Sequence, residues 1–221
     1  MTDFTADASK RIGRCIIVGA GDFFGLHENP SHDDILIAAD AGLQNIIRHG
    51  LVPDIILGDF DSLDRDIEYY CIKKGTEILR FPIEKDDTDM MLAVKEGLKR
   101  GFTFFELYGG TGGKRVDHLL ANIQTLVYLS HRGATGRLYG KGYLITAITD
   151  SRIDLVARIG ATISVFAQGG TAEDVTISGT KYTLTNETLQ PDFPLGVSNE
   201  ARSENVVIEV KRGTLVVVLF C

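Results

Sequence analysis

The chain has no tryptophan, five prolines and only three cysteines among its 221 residues. Cys15, Cys71 and Cys221 form no C-x-x-C pair, and an odd number of cysteines does not make a disulfide framework. Cys15 and Cys71 have apolar or aromatic neighbours in the sequence, so we expect buried thiols rather than nucleophiles. The five histidines show neither H-x-x-x-H nor H-E-x-x-H spacing, which argues against a zinc site.

Long apolar segments and an excess of positive charge are also missing. There is no run of 18 apolar residues, so we expect no membrane span. Residues 1–11 are polar and lack the apolar segment of a secretory signal, so we expect a cytoplasmic protein. The formal net charge of −7 argues against non-specific binding of nucleic acid.

The first 135 residues alternate short apolar runs with helical patterns. This alternation predicts a parallel sheet with helices on both faces. Thr88 is a good cap for the helix of residues 88–100, and Gly50 follows the helix of residues 43–49 as a terminating glycine. The predicted strands are 14–18, 35–38, 55–57, 76–80 and 102–107, and the other predicted helices are 67–74 and 117–131.

From about residue 137 the pattern changes to short β-type segments separated by glycine turns. No convincing helix follows, and such spacing predicts an antiparallel sandwich or a barrel. The predicted strands are 143–148, 162–166, 175–177, 181–184, 205–210 and 214–220.

Acidic residues follow most strands of the predicted parallel sheet. Asp40 follows the second strand, Asp59 and Asp61 follow the third, and Asp89 and Asp117 stand near two later helix starts. A turn or cap role accounts for any one of them. Ligands of such sheets bind beyond the carboxyl ends of the strands, and clustered carboxylates repel unless a cation neutralises them. Their convergence therefore indicates a site for Mg²⁺, which prefers hard oxygen donors.

The stretch YGGTGGKRVDH, residues 108–118, looks like a phosphate-binding loop. A P-loop needs glycine six residues before its lysine and Ser or Thr directly after it. Tyr108 and Arg115 occupy those positions relative to Lys114, which argues against a P-loop. The glycine N–H groups, the two cations and the helix that follows still suit phosphate. Together with the acids, they predict a nucleotide–Mg²⁺ site.

These stretches together resemble the thiamine pyrophosphokinases, over nearly the whole chain. The pattern P-D-x-x-x-G-D-F-D-S is highly specific, and the D-x-T-D segment follows it about 25 residues later. The segments that carry the resemblance are ADAG (39–42), PDIILGDFDS (53–62), KDDTD (85–89), RVDH (115–118), GTKYTL (179–184) and GVSNE (196–200).

The resemblance implies both a fold and an activity. The fold is α/β: a Rossmann-like parallel-sheet domain, then an antiparallel β-sandwich domain, in a homodimer. We place the nucleotide-binding catalytic domain at residues 1–141, with 1–10 as a flexible tail, and the thiamine-binding and dimerisation domain at 142–221. The implied reaction moves the pyrophosphoryl group of ATP to the hydroxyl of thiamine and releases AMP, with Mg²⁺ as cofactor.

The resemblance also assigns roles to individual residues. Asp59, Asp61 and Asp89 would hold Mg²⁺ and act in catalysis together with Arg115. Ser198 and Asn199 would lie near thiamine. The residues that would bind ATP and its pyrophosphate are Asp40, Thr88, Gly112, Gly113, Lys114 and Asp117.

Three choices stay open at this point. The general base is Asp89 in our first hypothesis and Asp59 in our second. Either Arg115 or Lys114 contacts the pyrophosphate, and we favour Arg115 because Arg-x-Asp keeps the family spacing. Without tryptophan, an aromatic partner of thiamine must be Tyr or Phe, and Tyr182 and Phe193 are weak candidates. Two rival functions are a phosphotransferase for another alcohol and a non-catalytic sensor of nucleotide or thiamine.

Overall fold

The computed structural model describes residues 12–58, 65–82, 86–112 and 115–220. The chain divides into two compact units, Met1–Thr125 and Leu126–Cys221. Within the described residues, no helix combines the length and the apolar character that a membrane crossing requires. The predicted tail 1–10 lies outside the described residues, as do the predicted site residues Asp59, Asp61, Gly113 and Lys114.

The first unit contains a five-stranded parallel sheet. Its order is β5-β1-β2-β3-β4. All residues of the first three strands are buried, as expected for parallel strands covered on both faces. The bounds are β1 (Cys15–Val18), β2 (Ile35–Ala39), β3 (Ile55–Gly58), β4 (Glu77–Arg80) and β5 (Phe104–Tyr108).

Helices connect most of these strands. They are α1 (Gly42–Arg48), α2 (Arg65–Lys73), α3 (Asp89–Lys99) and α4 (Val116–Ser130), the last of which runs across the division at residue 125. Helix α1 packs on β1 and β2, and α3 packs on β1, β2 and β3. The face of α3 that is buried has the helical spacing i, i+3, i+4 and i+7, formed by Met90, Ala93, Val94 and Gly97.

The second unit is a β-sandwich. One sheet has the antiparallel order β12-β9-β14-β7-β6 and the other has the order β11-β10-β13-β8. Ile163 and Leu215 from the first sheet share one apolar core with Val175 and Ile208 from the second. The bounds are β6 (Thr135–Gly140), β7 (Tyr143–Thr149), β8 (Arg152–Val156), β9 (Thr162–Ala167), β10 (Ala172–Ser178), β11 (Leu184–Leu189), β12 (Gly196–Glu200), β13 (Asn205–Glu209) and β14 (Thr214–Phe220).

The predicted fold class, an α/β domain followed by a β-sandwich, is confirmed. One predicted strand is misplaced, because residues 181–183 form a turn and β11 begins only at Leu184. The side chain of Asn199 explains the turn: its Oδ1 accepts from the backbone N–H of Tyr182 (3.0 Å), and its Nδ2 donates to the Tyr182 carbonyl (2.6 Å). Strands β6, β8 and β12 are further elements that the sequence patterns did not predict.

The parallel sheet reverses its winding direction at β1. From β1 the chain proceeds to β2, β3 and β4 on one side, and after α3 it returns to place β5 on the other side of β1. Such a reversal separates the connections that follow β1 and β5 and opens a crevice beyond their carboxyl ends. The fold therefore places a binding crevice at the ends of these two strands.

Candidate functional site

A cleft of about 450 Å³ lies at the carboxyl ends of β1, β2 and β5. The beginnings of α3 and α4 complete it, so two helix N-termini with their positive partial charge lie at its wall. Its lining residues are Gly19, Ala20, Gly21, Ala39, Asp40, Thr88, Asp89, Met90, Gly109, Gly110, Gly112, Arg115, His118 and Asn122.

Two glycine-containing loops, which follow β1 and β5, are joined to each other along the cleft. The backbone N–H of Gly19 donates to the carbonyl of Tyr108, and that of Gly21 donates to the carbonyl of Gly109, both at 2.8 Å. Gly109 has φ of +61°, and a Cβ there would lie 2.3 Å from the carbonyl oxygen of Gly19. Glycine is required at this position by both conformation and space. At Gly109 the two loops therefore meet backbone against backbone.

Two asparagine side chains hold carbonyls of these loops. Asn45 on α1 donates from Nδ2 to the carbonyl oxygens of Gly19 (3.0 Å) and Gly21 (3.1 Å). Asn122 on α4 is buried and donates to the carbonyl of Gly110 at 2.8 Å. Carbonyl oxygens on both loops are thus satisfied by amide donors, which lessens their repulsion of an anion in the cleft.

Asp40 directly follows β2 and adopts the left-handed backbone conformation, with φ of +50°. Its N–H donates to the carbonyl of Leu57 at 2.8 Å, which holds this conformation in place. Asp tolerates the left-handed region better than most residues, yet such backbone strain is concentrated at functional sites. The start of α1, directly after Asp40, packs closely on the end of β1, since a Cβ at Gly42 would lie 1.9 Å from the carbonyl oxygen of Val18.

Helix α3 brings two predicted residues to the cleft. Thr88 is its N-cap, and Thr88 Oγ1 accepts from the N–H of Met91 at 3.2 Å. Asp89 begins the helix and also lines the cleft. The neighbouring Asp87 is held elsewhere, because both of its carboxylate oxygens bind Lys95 Nζ at 2.7–2.8 Å.

Arg115, directly before α4, lines the cleft and forms a two-point ion pair with Asp117. Arg115 Nε lies 2.8 Å from Asp117 Oδ1, and Nη2 lies 2.6 Å from Oδ2. The hydrogen bond from Arg115, more than charge alone, lowers the pKa of Asp117 to about 2. Asp117 is not among the lining residues, and its carboxylate is paired with the Arg115 guanidinium.

The structure describes one of the three predicted metal ligands. Asp89 lies at the cleft, whereas Asp59 and Asp61 are outside the described residues. Within the ranges that are described, no group of three His, Cys, Asp or Glu side chains is arranged to hold a metal ion. The magnesium site therefore stays a prediction.

Ser198 and Asn199, the predicted thiamine contacts, lie on β12 in the second unit and are not among the residues that line the cleft. Ser198 is exposed and has φ of +60°. Asn199 is buried, and its amide is occupied by the backbone bonds to Tyr182 described above. Tyr182 and Phe193 are both exposed, with 62% and 64% of their surface accessible.

Several lining residues were not predicted as site residues. Gly19, Ala20 and Gly21 carried a detectable signal, since a glycine turn after the first strand lies at the same sheet edge as the predicted acids. Asn122 and His118 carried a weaker signal, because both lie on the helix that follows the glycine loop. Asn45, which holds the turn after β1 without lining the cleft, carried no signal, because only the packing of α1 brings it there.

The fold and the cleft define a class of protein: a doubly wound α/β unit with a glycine-lined crevice at its strand ends, followed by a β-sandwich. Residues 26–136 match the family model of the thiamin pyrophosphokinase catalytic domain. Residues 150–215 match the model of the thiamin pyrophosphokinase vitamin B1 binding domain. The chain belongs to the thiamin pyrophosphokinase family, which is a family of enzymes.

Individual relatives support the same assignment. The chain is 27% identical over 183 residues to thiamine pyrophosphokinase of Bacillus subtilis. The alignment covers 82% of this chain and 85% of the relative. A crystal structure of the B. subtilis enzyme matches with a TM-score of 0.83 at 25% identity and covers 94% of this chain and 98% of that one. A thiamin pyrophosphokinase family protein from Enterococcus faecalis matches with a TM-score of 0.79 at 28% identity, over 94% and 99% of the two chains.

Proposed function

We propose that this chain transfers the pyrophosphoryl group of ATP to the hydroxyl of thiamine and releases thiamine diphosphate and AMP. The observation that carries the proposal is the cleft itself. It combines glycine backbone, two helix N-termini, one arginine and two carboxylates, in a chain whose two parts match the catalytic and vitamin-binding models of the family.

The positive side of the cleft suits the phosphates of ATP. Arg115 pairs with Asp117 through its Nε and one Nη2 proton, which leaves the Nη1–Nη2 edge of the planar guanidinium available for two parallel bonds to phosphate oxygens. The N-termini of α3 and α4 add partial positive charge. Arg115 is therefore our choice for the cation on the transferred group, ahead of Lys114.

The acidic side of the cleft suits a magnesium ion. Asp40 and Asp89 line the cleft, and their carboxylates are the hard oxygen donors that Mg²⁺ prefers. Asp89 would hold the ion together with Asp59 and Asp61. When bound, Mg²⁺ neutralises charge on the phosphate oxygens.

Pyrophosphoryl transfer asks the protein mainly for positioning and for charge neutralisation. The thiamine hydroxyl attacks the β-phosphorus, its proton passes to a carboxylate, and AMP leaves with the electrons of the broken P–O bond. Asp89 is our first candidate for that base and Asp59 our second. Ser198 and Asn199 would lie near thiamine, in a homodimer whose subunits share the pocket, and we place the enzyme in the cytoplasm.

The test is an assay of the purified chain with ATP, Mg²⁺ and thiamine, with AMP and thiamine diphosphate separated by chromatography. We expect equal amounts of the two products, formed only when thiamine is present. ADP as the product, or AMP formed without thiamine, would point to another phosphotransferase or hydrolase. Tight binding of both substrates without turnover would identify a sensor and would contradict the proposal.

A further inference from the structure

The turn after β1, residues 19–21, is held by a side chain that does not itself line the cleft. Asn45 Nδ2 lies 3.0 Å from the carbonyl oxygen of Gly19 and 3.1 Å from that of Gly21, whereas Gly19, Ala20 and Gly21 all line the cleft. Both neighbours are carbonyl oxygens, which only accept. The Asn45 amide must therefore present its NH₂ group, and each of its two protons has one acceptor.

These two bonds fix the orientation of two peptide groups. In a trans peptide the C=O and the N–H point in opposite directions, so a carbonyl that faces Asn45 turns its partner N–H away from Asn45. The partner of the Gly19 carbonyl is the N–H of Ala20, and the partner of the Gly21 carbonyl is the N–H of Asp22. Glycine-containing turns rotate such peptides easily, because they lack the Cβ that restricts φ and ψ.

We infer that Asn45 is a positioning residue, which keeps the carbonyls of Gly19 and Gly21 turned away from the phosphates so that the turn presents N–H groups to them. The inference rests on the proposed function, because it assumes that the cleft receives a pyrophosphate. An anion bound by backbone needs donors, and a rotated peptide would replace a donor with a carbonyl oxygen that repels it.

Other contacts hold the rest of this connection, so loss of the Asn45 amide should act locally. Phe23 packs edge-on against His49, with ring centroids 4.6 Å apart, and against Tyr108 at 6.0 Å. The N–H of Gly21 is bound to the carbonyl of Gly109 whatever side chain is at position 45. The variants Asn45→Ala and Asn45→Asp should therefore fold, and Asp additionally places an acceptor where two carbonyls require a donor.

The experiment measures binding of inorganic pyrophosphate and of ATP by calorimetry, with the melting temperature recorded for every variant. We expect Asn45→Ala to weaken pyrophosphate binding about 10-fold and Asn45→Asp to weaken it further, since each lost bond orients a donor to a charged ligand. The Michaelis constant for ATP should rise while that for thiamine stays unchanged. Gln44→Ala is the matched control, because Gln44 is the exposed neighbour on the same helix.

The outcomes separate this inference from the proposed function. If Asn45→Ala melts earlier but binds pyrophosphate as the wild type does, Asn45 is merely structural and the inference is wrong. If the wild type binds pyrophosphate but makes no thiamine diphosphate, the proposed function fails, and the binding constants of the variants still decide the role of Asn45. A wild-type chain that binds neither pyrophosphate nor ATP would overturn both. Should Asn45→Asp not fold, Asn45→Ala alone decides.

Discussion

The carboxylate of Asp117 lies against one edge of the Arg115 guanidinium, with Nη2 and Oδ2 2.6 Å apart, while both side chains remain about two-thirds exposed. An exposed pair of this kind contributes little to stability. Its value is geometric, because it holds the guanidinium beside the cleft with its other edge available to a ligand. We therefore expect Asp117 to act on a bound phosphate through Arg115.

Asp117→Asn should lower activity without lowering stability. We expect the Michaelis constant for ATP to rise about 10-fold, because Asn cannot hold the arginine fork by two charged bonds. The melting temperature should stay within about 1 °C of the wild type, as befits an exposed pair. An unchanged Michaelis constant would mean that the pairing does not serve substrate binding.

Arg115→Lys tests which cation contacts the pyrophosphate. Lysine keeps the charge but lacks the planar fork, so we expect turnover to fall about 100-fold. Arg132→Lys is the control, since Arg132 is an exposed arginine whose guanidinium stacks on Tyr128 in the second unit. If Lys114→Ala abolishes turnover while Arg115→Lys leaves it intact, then Lys114 has the role that we give to Arg115.

The metal hypothesis depends on two residues outside the described ranges. Asp59→Asn and Asp61→Asn should each reduce turnover by about two orders of magnitude or more, because each removes a carboxylate expected to hold Mg²⁺. Circular dichroism should show that both variants fold. Asp33→Asn serves as the control, since Asp33 is an exposed acid away from the cleft lining. Near wild-type rates in both variants would remove the magnesium hypothesis.

Asp34 should account for part of the stability that the fold loses at acid pH. Burial by itself raises the Asp34 pKa, but hydrogen bonds from Arg14 and Ser31 outweigh it, and the net pKa lies well below the ordinary value. A carboxyl group whose pKa is lower in the fold than in the unfolded chain stabilises the fold at pH values above its unfolded pKa of about 4. This contribution is lost as the pH falls toward the folded pKa.

Asp34→Asn is therefore expected to destabilise the chain by about 2 kcal/mol at pH 7, the value of charged hydrogen bonds lost from a buried carboxylate. The difference between wild type and variant should shrink below about pH 4, where Asp34 becomes protonated in the unfolded chain while the folded chain still holds it ionised. Urea unfolding of wild type and variant between pH 7 and pH 3 measures the difference in free energy of unfolding and its change with pH. A constant difference across that range would show that the ion pair with Arg14 is not the cause.

The neighbours Ser198 and Asn199 should respond in opposite directions. Asn199→Ala removes three hydrogen bonds from a buried amide, those to Tyr182 and to the N–H of Glu200, and should cost about 2 kcal/mol. Ser198→Gly relieves a left-handed backbone and should stabilise by about 1 kcal/mol. Thermal unfolding measures the structural role of each residue, and the Michaelis constant for thiamine measures its role in binding.

The amino-acid sequence by itself determined the fold class and much of the cleft. Buried apolar runs alternating with helical patterns are local features, and they specify a parallel sheet without knowledge of its neighbours. Asp40, Asp89, Gly112 and Arg115 were predicted as site residues from strand ends, a helix start and the glycine loop, and Thr88 from the family resemblance. All five line the cleft. Their chemical roles stay predictions.

Only the tertiary structure decided the contacts between distant segments. The bond from Asn45 to Gly19, the turn that Asn199 imposes on Tyr182 and the pairing of the two glycine loops each join residues 17 or more positions apart. No local propensity encodes such contacts, because they depend on which elements pack together. For the same reason β11 begins later than its sequence pattern predicts: a buried side chain from another strand occupies the backbone groups that a β-ladder would have used.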